Sequence, residues 1–533
     1  MDGAIKILIT LLLLLRSEAY LSGSERVEQM LARMSLEEKI GQVFAIPACP
    51  WRGGEVEHVQ DLHILLDTHH IGSLLLQRGT SAEQVALIQA LQGRSSTPLL
   101  CLQDGEWGVA MRLTDARPFP RNLTLGAIQN DALLYELGKE IGQQCRHVGA
   151  HLNLAPVVDV NSNPDNPIIG MRSFGSDPER VAQKGCQLML GMQASGIVAC
   201  AKHFPGHGDT SGDSHLDLPH VTHAELLPFQ RLIDAGVGAV MTGHLYVEDL
   251  VERPGLPVTF SRRVVTDLLQ SAMGFEGLVI TDALNMQALA KHWPAHEIGL
   301  RALEAGHDIL LYGDHIAPNI DQILRLEVPA AIAAIKQAIL EGRLSQAELD
   351  QHVRKILGVK ERLGLLDSTA FESEPVNTER GQALRQQLFA EALTCLSPSG
   401  GLSALQGRVA LITWGEVPVL TRELDLPVFS LLEQALVDQI SGFDALIISL
   451  KELSAQLPRF GLYDQILERL AVIQALNIPT TLVLFGTPYA LRHLKQDFAI
   501  LVAYEADTAA QKAAAEAIKA KRPCQGALPI SLK

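Results

Sequence analysis

The stretch GLVITDAL, Gly277 to Leu284, is apolar from Leu278 to Ile280 and turns polar at Thr281 and Asp282. A strand with one face in water alternates apolar and polar residues, so an unbroken apolar run reads as buried on both faces, as in a parallel sheet. Runs of the same kind recur between Gln42 and Gly313: QVFAIP, IGSLLLQ (from Ile71), PLLCLQD (Pro98), HLNLAPVVDV (His151), IVACAKHF (Ile197), AVMTGHL (Ala239) and HDILLYG (His307). Helical stretches lie between them, such as SAEQVALIQALQ, LLYELGKEIGQQCRHVG, PERVAQKGCQLMLGMQASG, HAELLPFQRLIDAG and EIGLRALEAG, several closed by glycine. Eight β/α units in about 270 residues have the number and size of a (β/α)8 barrel.

Past the barrel, PAAIAAIKQAILEGRLSQAELDQHVRKILGVKERLGL reads as a long helical connection and DSTAFESEPVNTERG as a polar linker. A second β/α pattern follows in VALITW, ALIISL, TTLVLFG, ILVAYE and LPISL (Leu528), which predicts a smaller α/β open-sheet domain. The expected organisation is a barrel over 25–366, a linker over 367–380 and the second domain over 381–533. No glycine-rich phosphate loop follows the first strand of that domain, so a nucleotide role has weak support at best.

A formal net charge of -16, with no long Lys/Arg-rich run, excludes a nucleic-acid partner as a reading, because a polyanion would be repelled over most of the surface. The seven cysteines are scattered without a CxxC pair and read as small core residues, with neither a disulfide framework nor a thiolate zinc site. Residues 1–20, MDGAIKILITLLLLLRSEAY, carry an apolar run from Ile7 to Leu15 and then Ser17 and Ala19, the pattern of a secretory signal peptide. Export to the periplasm or the medium follows if that segment is a signal, and a cytoplasmic location if it is a packed helix. No other stretch is long and apolar enough to span a bilayer, and the oligomeric state is not encoded in any pattern.

Barrel chemistry sits at the C-terminal ends of the strands, where this chain places Asp104, Asp159, Lys202 with His203, His244 and Asp282. The segment KHFPGHGDTSGDSHLDLP, Lys202 to Pro219, is rich in metal-ligand types, but its spacing fits no helical ligand pair and Lys202 would set a positive charge beside the ion. The reading is therefore no metal and no cofactor. Asp213 and His215, two residues apart in a glycine-rich loop, can turn toward each other. The carboxylate then fixes the imidazole tautomer and leaves the other nitrogen to move a proton near neutral pH. A carboxylate at Asp282 beside such a donor is the equipment for glycoside hydrolysis: Asp282 as nucleophile, His215 as acid/base and Asp213 as its partner. Asp104 can accept from vicinal hydroxyls, while Arg112, Arg172, Lys202 and His203 can donate to sugar oxygens.

KHFPGHGDTSGDSH, NPIIGMRSFGSDPERV and VITDAL, with LQDGEWGVAMRL upstream, resemble family 3 glycoside hydrolases over about Val27 to Leu366, most of all the β-N-acetylhexosaminidase branch that releases N-acetylglucosamine. The second domain resembles the α/β sandwich of two-domain members. The resemblance implies Asp282 as nucleophile, His215 and Asp213 as the acid/base dyad, and Asp104, Arg112, Arg172, Lys202 and His203 as sugar-binding positions. The family's frequent DQEGGRV stands here as DGEWGVAMR, with Trp107 at a position often glycine. The expected protein is a retaining exo-β-N-acetylglucosaminidase acting on muropeptides or similar oligosaccharides. A β-glucosidase with a second-domain glutamate, a phosphorylase of the same family and a non-catalytic carbohydrate-binding protein are the competing readings.

Overall fold

The computed structural model describes residues 24–212, 214, 216–314, 320–371, 373–396, 407–454, 456–494, 498–520 and 524–532. The eight apolar runs form eight parallel strands: β1 Phe44–Ala48, β2 Ser73–Leu76, β3 Leu100–Gln103, β4 Leu152–Asn153, β5 Val198–Phe204, β6 Ala239–Thr242, β7 Leu278–Thr281 and β8 Leu310–Leu311. Their order in the sheet is β7-β6-β5-β4-β3-β2-β1-β8. A parallel bridge between Ile280 and Ile309 joins its two edges into a barrel. Every residue of β1, β2, β3, β6 and β7 is buried, which is why their sequences show no alternation.

The helices follow the expected segments closely where capping is strong. Thr80 and Glu83 form a capping box for the helix Ser81–Gln92, and Gly306, at φ 113, ends the helix Ala295–Ala305 in the left-handed region open to glycine. HAELLPFQRLIDAG is helical only over Leu227–Asp234, because Pro228 suits the first turn of a helix and not its interior. The long connection is two helices, Val328–Leu340 and Gln346–Arg362. It breaks at Gly342, φ 75, and restarts on the Ser345–Glu348 capping box.

By internal contacts the chain divides into two units. The first takes in the chain to Pro118, Tyr135–Asp159 and Gly185–Val376, and so holds the barrel. The second takes in Phe119–Leu134, Val160–Lys184 and Asn377–Lys533. Its sheet runs β11-β10-β12-β13-β14-β9, made of β9 Thr394–Leu396, β10 Val409–Trp414, β11 Val428–Ser430, β12 Ala445–Leu453, β13 Thr480–Gly486 and β14 Ala499–Val502. All pairs are parallel except β9 with β14. Leu411, Ile447, Val483 and Leu501 meet Phe389 and the alanine-rich helix Thr508–Ala520 in its core.

Two expectations for this unit fail. LPISL is not a strand; Pro529 and Ala527 instead hydrogen-bond irregular backbone at Ser176 and Ala127. Cys395 on β9 and Cys524 form a disulfide, with Cα atoms 5.6 Å apart across a sequence separation of 129. Cysteines that far apart carry no pairing signal, so scatter was misread as thiol packing. The other five cysteines are free, four of them buried.

Candidate active site

The mouth of the barrel gathers charge where the strands end. Asp104 follows β3, and Lys202 lies near the C-terminal end of β5. Lys202 Nζ donates to Asp104 Oδ1 at 2.9 Å and stands 3.0 Å from Glu106 Oε1, while Arg112 Nη2 donates to Asp104 Oδ2 at 2.5 Å. Glu106–Lys202–Asp104–Arg112 is thus a chain of alternating sign, with side chains between 2% and 13% exposed. Alternation is what lets four ionised groups share a nearly dry pocket. Each charge lacks bulk solvent and faces at least one opposite charge instead. A sugar entering such a pocket meets donors and acceptors whose orientations are already fixed.

Asp159, fully buried after β4, organises the next part of the mouth. It accepts from His203 Nδ1 at 2.8 Å, from the His203 amide at 3.2 Å and from the His207 amide at 2.7 Å. Burial alone would raise its carboxyl, but the His203 imidazole and its hydrogen bond, with the His207 ring and amide, hold it below the ordinary carboxylate range. With Nδ1 of His203 donating to a carboxylate, the tautomer of the neutral ring is fixed. Gly206, at φ 118, returns its amide to the His203 carbonyl at 2.7 Å, a turn that requires glycine.

Asp282 is the first residue beyond β7 and is partly exposed. Its amide donates to the Thr242 carbonyl at 3.1 Å, and its Oδ1 accepts from the Ala283 amide at 2.7 Å. The following backbone is held on three sides. His244, fully buried, has Nε2 3.0 Å from the Ala283 carbonyl; the Leu284 amide reaches Leu311; and Asn285 exchanges two hydrogen bonds with Gly313. His244 is therefore a brace for the Asp282 segment.

Arg172 lies in the second unit, on the turn Gly170–Arg172, where its carbonyl accepts from Asn122 Nδ2 at 2.7 Å. Asp213 and His215 lie outside the described residues. Ser214 between them is described, and its Oγ stands 3.1 Å from His207 Nε2. Sequence reasoning passed over Glu106 as a site residue, although it stands two places from Asp104. A cavity of about 720 Å³ opens beside Arg112, lined among others by Trp51, Gln77, Arg78, Thr114 and Asp314. Among the described residues no group of three or more His, Cys, Asp or Glu is arranged to hold a metal ion.

A parallel barrel whose strand ends converge on paired charges and one strand-end carboxylate defines the class: a (β/α)8 protein with a polar pocket suited to a hydroxyl-rich ligand. The chain belongs to glycosyl hydrolase family 3, whose N-terminal domain matches residues 35–359. It is 31% identical over 373 residues to beta-hexosaminidase A of Pseudoalteromonas piscicida, covering 64% of this chain and 62% of that one. To beta-hexosaminidase LpqI of Mycobacterium tuberculosis it is 30% identical over 345 residues, covering 62% and 84%. The solved structure of a family 3 beta-N-acetylglucosaminidase from Paenibacillus sp. strain FPU-7 superposes with a TM-score of 0.79 at 27% identity, covering 94% of this chain and 99% of that one.

Proposed function

We propose that the protein is a retaining exo-β-N-acetylglucosaminidase that removes terminal β-linked N-acetylglucosamine from peptidoglycan fragments or related oligosaccharides. The observation that carries this reading is Asp282, braced at the end of β7 in a barrel whose mouth also holds the Lys202–Asp104–Arg112 chain. The hexosaminidase relatives support the sugar, and the cavity beside Arg112 supports room beyond it.

In this mechanism Asp104, Arg112, Arg172, Lys202 and His203 hold the sugar. The Asp282 carboxylate attacks the anomeric carbon while His215, paired with Asp213, gives its proton to the leaving oxygen. The bond to the aglycone breaks as the bond to Asp282 forms. Water then attacks the same carbon, His215 takes its proton, and Asp282 leaves, so configuration is retained. The donor form is the imidazolium, and once its proton is given the neutral imidazole adds no negative charge beside Asp282. Export is part of the proposal, supported by the Cys395–Cys524 disulfide, since such bonds persist in oxidising compartments. The segment 1–20 lies outside the described residues, and among those described no helix is long and apolar enough to cross a membrane.

Asp282→Asn is expected to abolish turnover of an aryl β-N-acetylglucosaminide, and full retained activity would sink the assignment. Running the same assay with an aryl glucoside, and with added phosphate to look for sugar 1-phosphate, separates this reading from β-glucosidase and phosphorylase.

A further inference from the structure

The cavity of about 720 Å³ beside Arg112 is walled by residues from the loops after β1, β2, β3 and β8, which are neighbours around the barrel. Backbone ties those loops together. The Trp51 amide donates to the Arg78 carbonyl at 3.2 Å, the Gly79 amide to the Arg112 carbonyl at 3.3 Å, and the Thr114 amide to the Gly79 carbonyl at 2.9 Å. A Cβ at Gly79 would stand 2.5 Å from Pro50 Cβ, so glycine there lets the first two loops close up. The volume falls within the roughly 300–1,000 Å³ of small-molecule sites.

Two donors in this wall lack an acceptor. Gln77, 3% exposed, has a buried Nε2 with no hydrogen-bond partner among the described residues, and the same holds for Arg112 Nε, although Arg112 Nη2 reaches Asp104. The carboxylates of the lining already hold protein donors. Asp314 accepts from Cys49 Sγ at 3.0 Å, and Glu83 accepts from the amide and hydroxyl of Thr80 at 2.7 and 2.9 Å. The unmet demand is therefore for acceptor oxygens. It is not for negative charge, because Asp104 answers Arg112 and Arg78 is exposed. Trp51, 54% exposed, adds an indole braced by Arg52, whose guanidinium lies 5.9 Å from the ring centroid and pairs with Glu55 and Asp321. An aromatic face beside hydrogen-bond donors suits the C–H face and the oxygens of a sugar ring.

We propose that this cavity is a second carbohydrate subsite, which takes the leaving sugar of a neutral oligosaccharide. The ring packs on Trp51, and its hydroxyl or acetamido oxygens accept from Gln77 Nε2 and Arg112 Nε. Arg112 borders both the cavity and the chain of charges around Lys202, so it joins the two sugar positions. Arg78 and Arg112 are matched in the lining by Glu83 and Asp314, so an acidic aglycone meets no net attraction. The inference rests on the terminal sugar being held by Asp104 and Lys202 as proposed above.

The test compares the N-acetylglucosamine disaccharide with methyl β-N-acetylglucosaminide, whose aglycone is too small to fill the cavity, on the full-length protein. Trp51 is exposed, so Trp51→Ala spares the core; Gln77→Leu keeps most of the volume and removes the amide. The ratio of kcat/KM, disaccharide over methyl glycoside, is expected to fall about 5- to 30-fold in Trp51→Ala and about 2- to 10-fold in Gln77→Leu. Either variant carries the test if the other does not fold. In an Asp282→Asn background, calorimetric titration with the disaccharide should show binding weakened by similar factors. The acidic disaccharide N-acetylglucosaminyl-N-acetylmuramic acid should bind no more tightly than the neutral one. An unchanged ratio in the variants that fold, or tighter binding of the acidic disaccharide, overturns the proposal. If the wild type cleaves neither substrate, the hexosaminidase reading fails, and the titration alone then decides the subsite.

Discussion

At Lys202 one ammonium meets two carboxylates, and the side chains of all three are at most 11% exposed. Removing one partner of a buried ion pair strands the other charge, a loss of about 3–5 kcal/mol when the group is deleted and less when a neutral isostere keeps a hydrogen bond. Glu106→Gln keeps the shape and removes one negative charge. We expect it to lower stability by about 1–3 kcal/mol and to raise KM for an aryl N-acetylglucosaminide more than it lowers kcat, since Lys202 would shift toward Asp104. Urea denaturation and steady-state kinetics check both parts; a variant with wild-type stability and wild-type KM would remove Glu106 from the site. Asp104 and Lys202 were legible because an apolar run ending in a charge marks a strand end. Glu106 was not, because its importance comes from a partner on another strand, and no spacing rule reaches from residue 106 to residue 202. His244 shows the opposite limit: its position at a strand end was legible, but its service to the Ala283 carbonyl required coordinates.

At the scale of elements, strands set in long apolar runs announced themselves, even β4 and β8 with two residues each, and β9 and β11 did not. β9 and β11 have three residues each, too few for any period to show. β9 is also the one antiparallel strand of its sheet, and Cys395 on it is bonded to Cys524 near the end of the chain. A cross-link closing so long a loop stabilises by up to about 5 kcal/mol in the chain-entropy account. Reduction, or Cys524→Ser, is expected to lower the unfolding temperature of the second unit by roughly 5–15 °C. Calorimetry with and without reductant measures this, alongside a thiol titration of the denatured, unreduced protein. Seven reactive thiols in place of five, or an unmoved transition, would refute it.

The whole molecule should answer to acid before its carboxylates titrate. His307, fully buried between Thr242 and the Ala302 carbonyl, is pushed down to about 4, chiefly by burial and partly by the neighbouring His244 and His352, against hydrogen bonding to Ala302 and the charge of Asp308. Its ordinary value is about 6.5, so between about 6.5 and 4 the unfolded chain binds a proton that the folded one refuses. The stability this group contributes is complete above about 6.5 and is lost as pH falls toward 4, a change of about 3 kcal/mol at most. The urea midpoint should decline across that window, and His307→Gln should flatten the decline; a midpoint independent of pH there would contradict the assignment.

The barrel and the open sheet were legible from patterning, but membership of the units was not. Phe119–Leu134 and Val160–Lys184, which lie in the barrel's stretch of sequence, belong by contacts with the C-terminal unit. The polypeptide passes between units at 118–119, 134–135, 159–160, 184–185 and 376–377. A gene cut after codon 376 would thus separate those two internal segments from the rest of the unit they contact. Modular exchange between relatives, whether in the laboratory or by recombination, keeps that unit whole only where it carries those internal segments along with the C-terminal half.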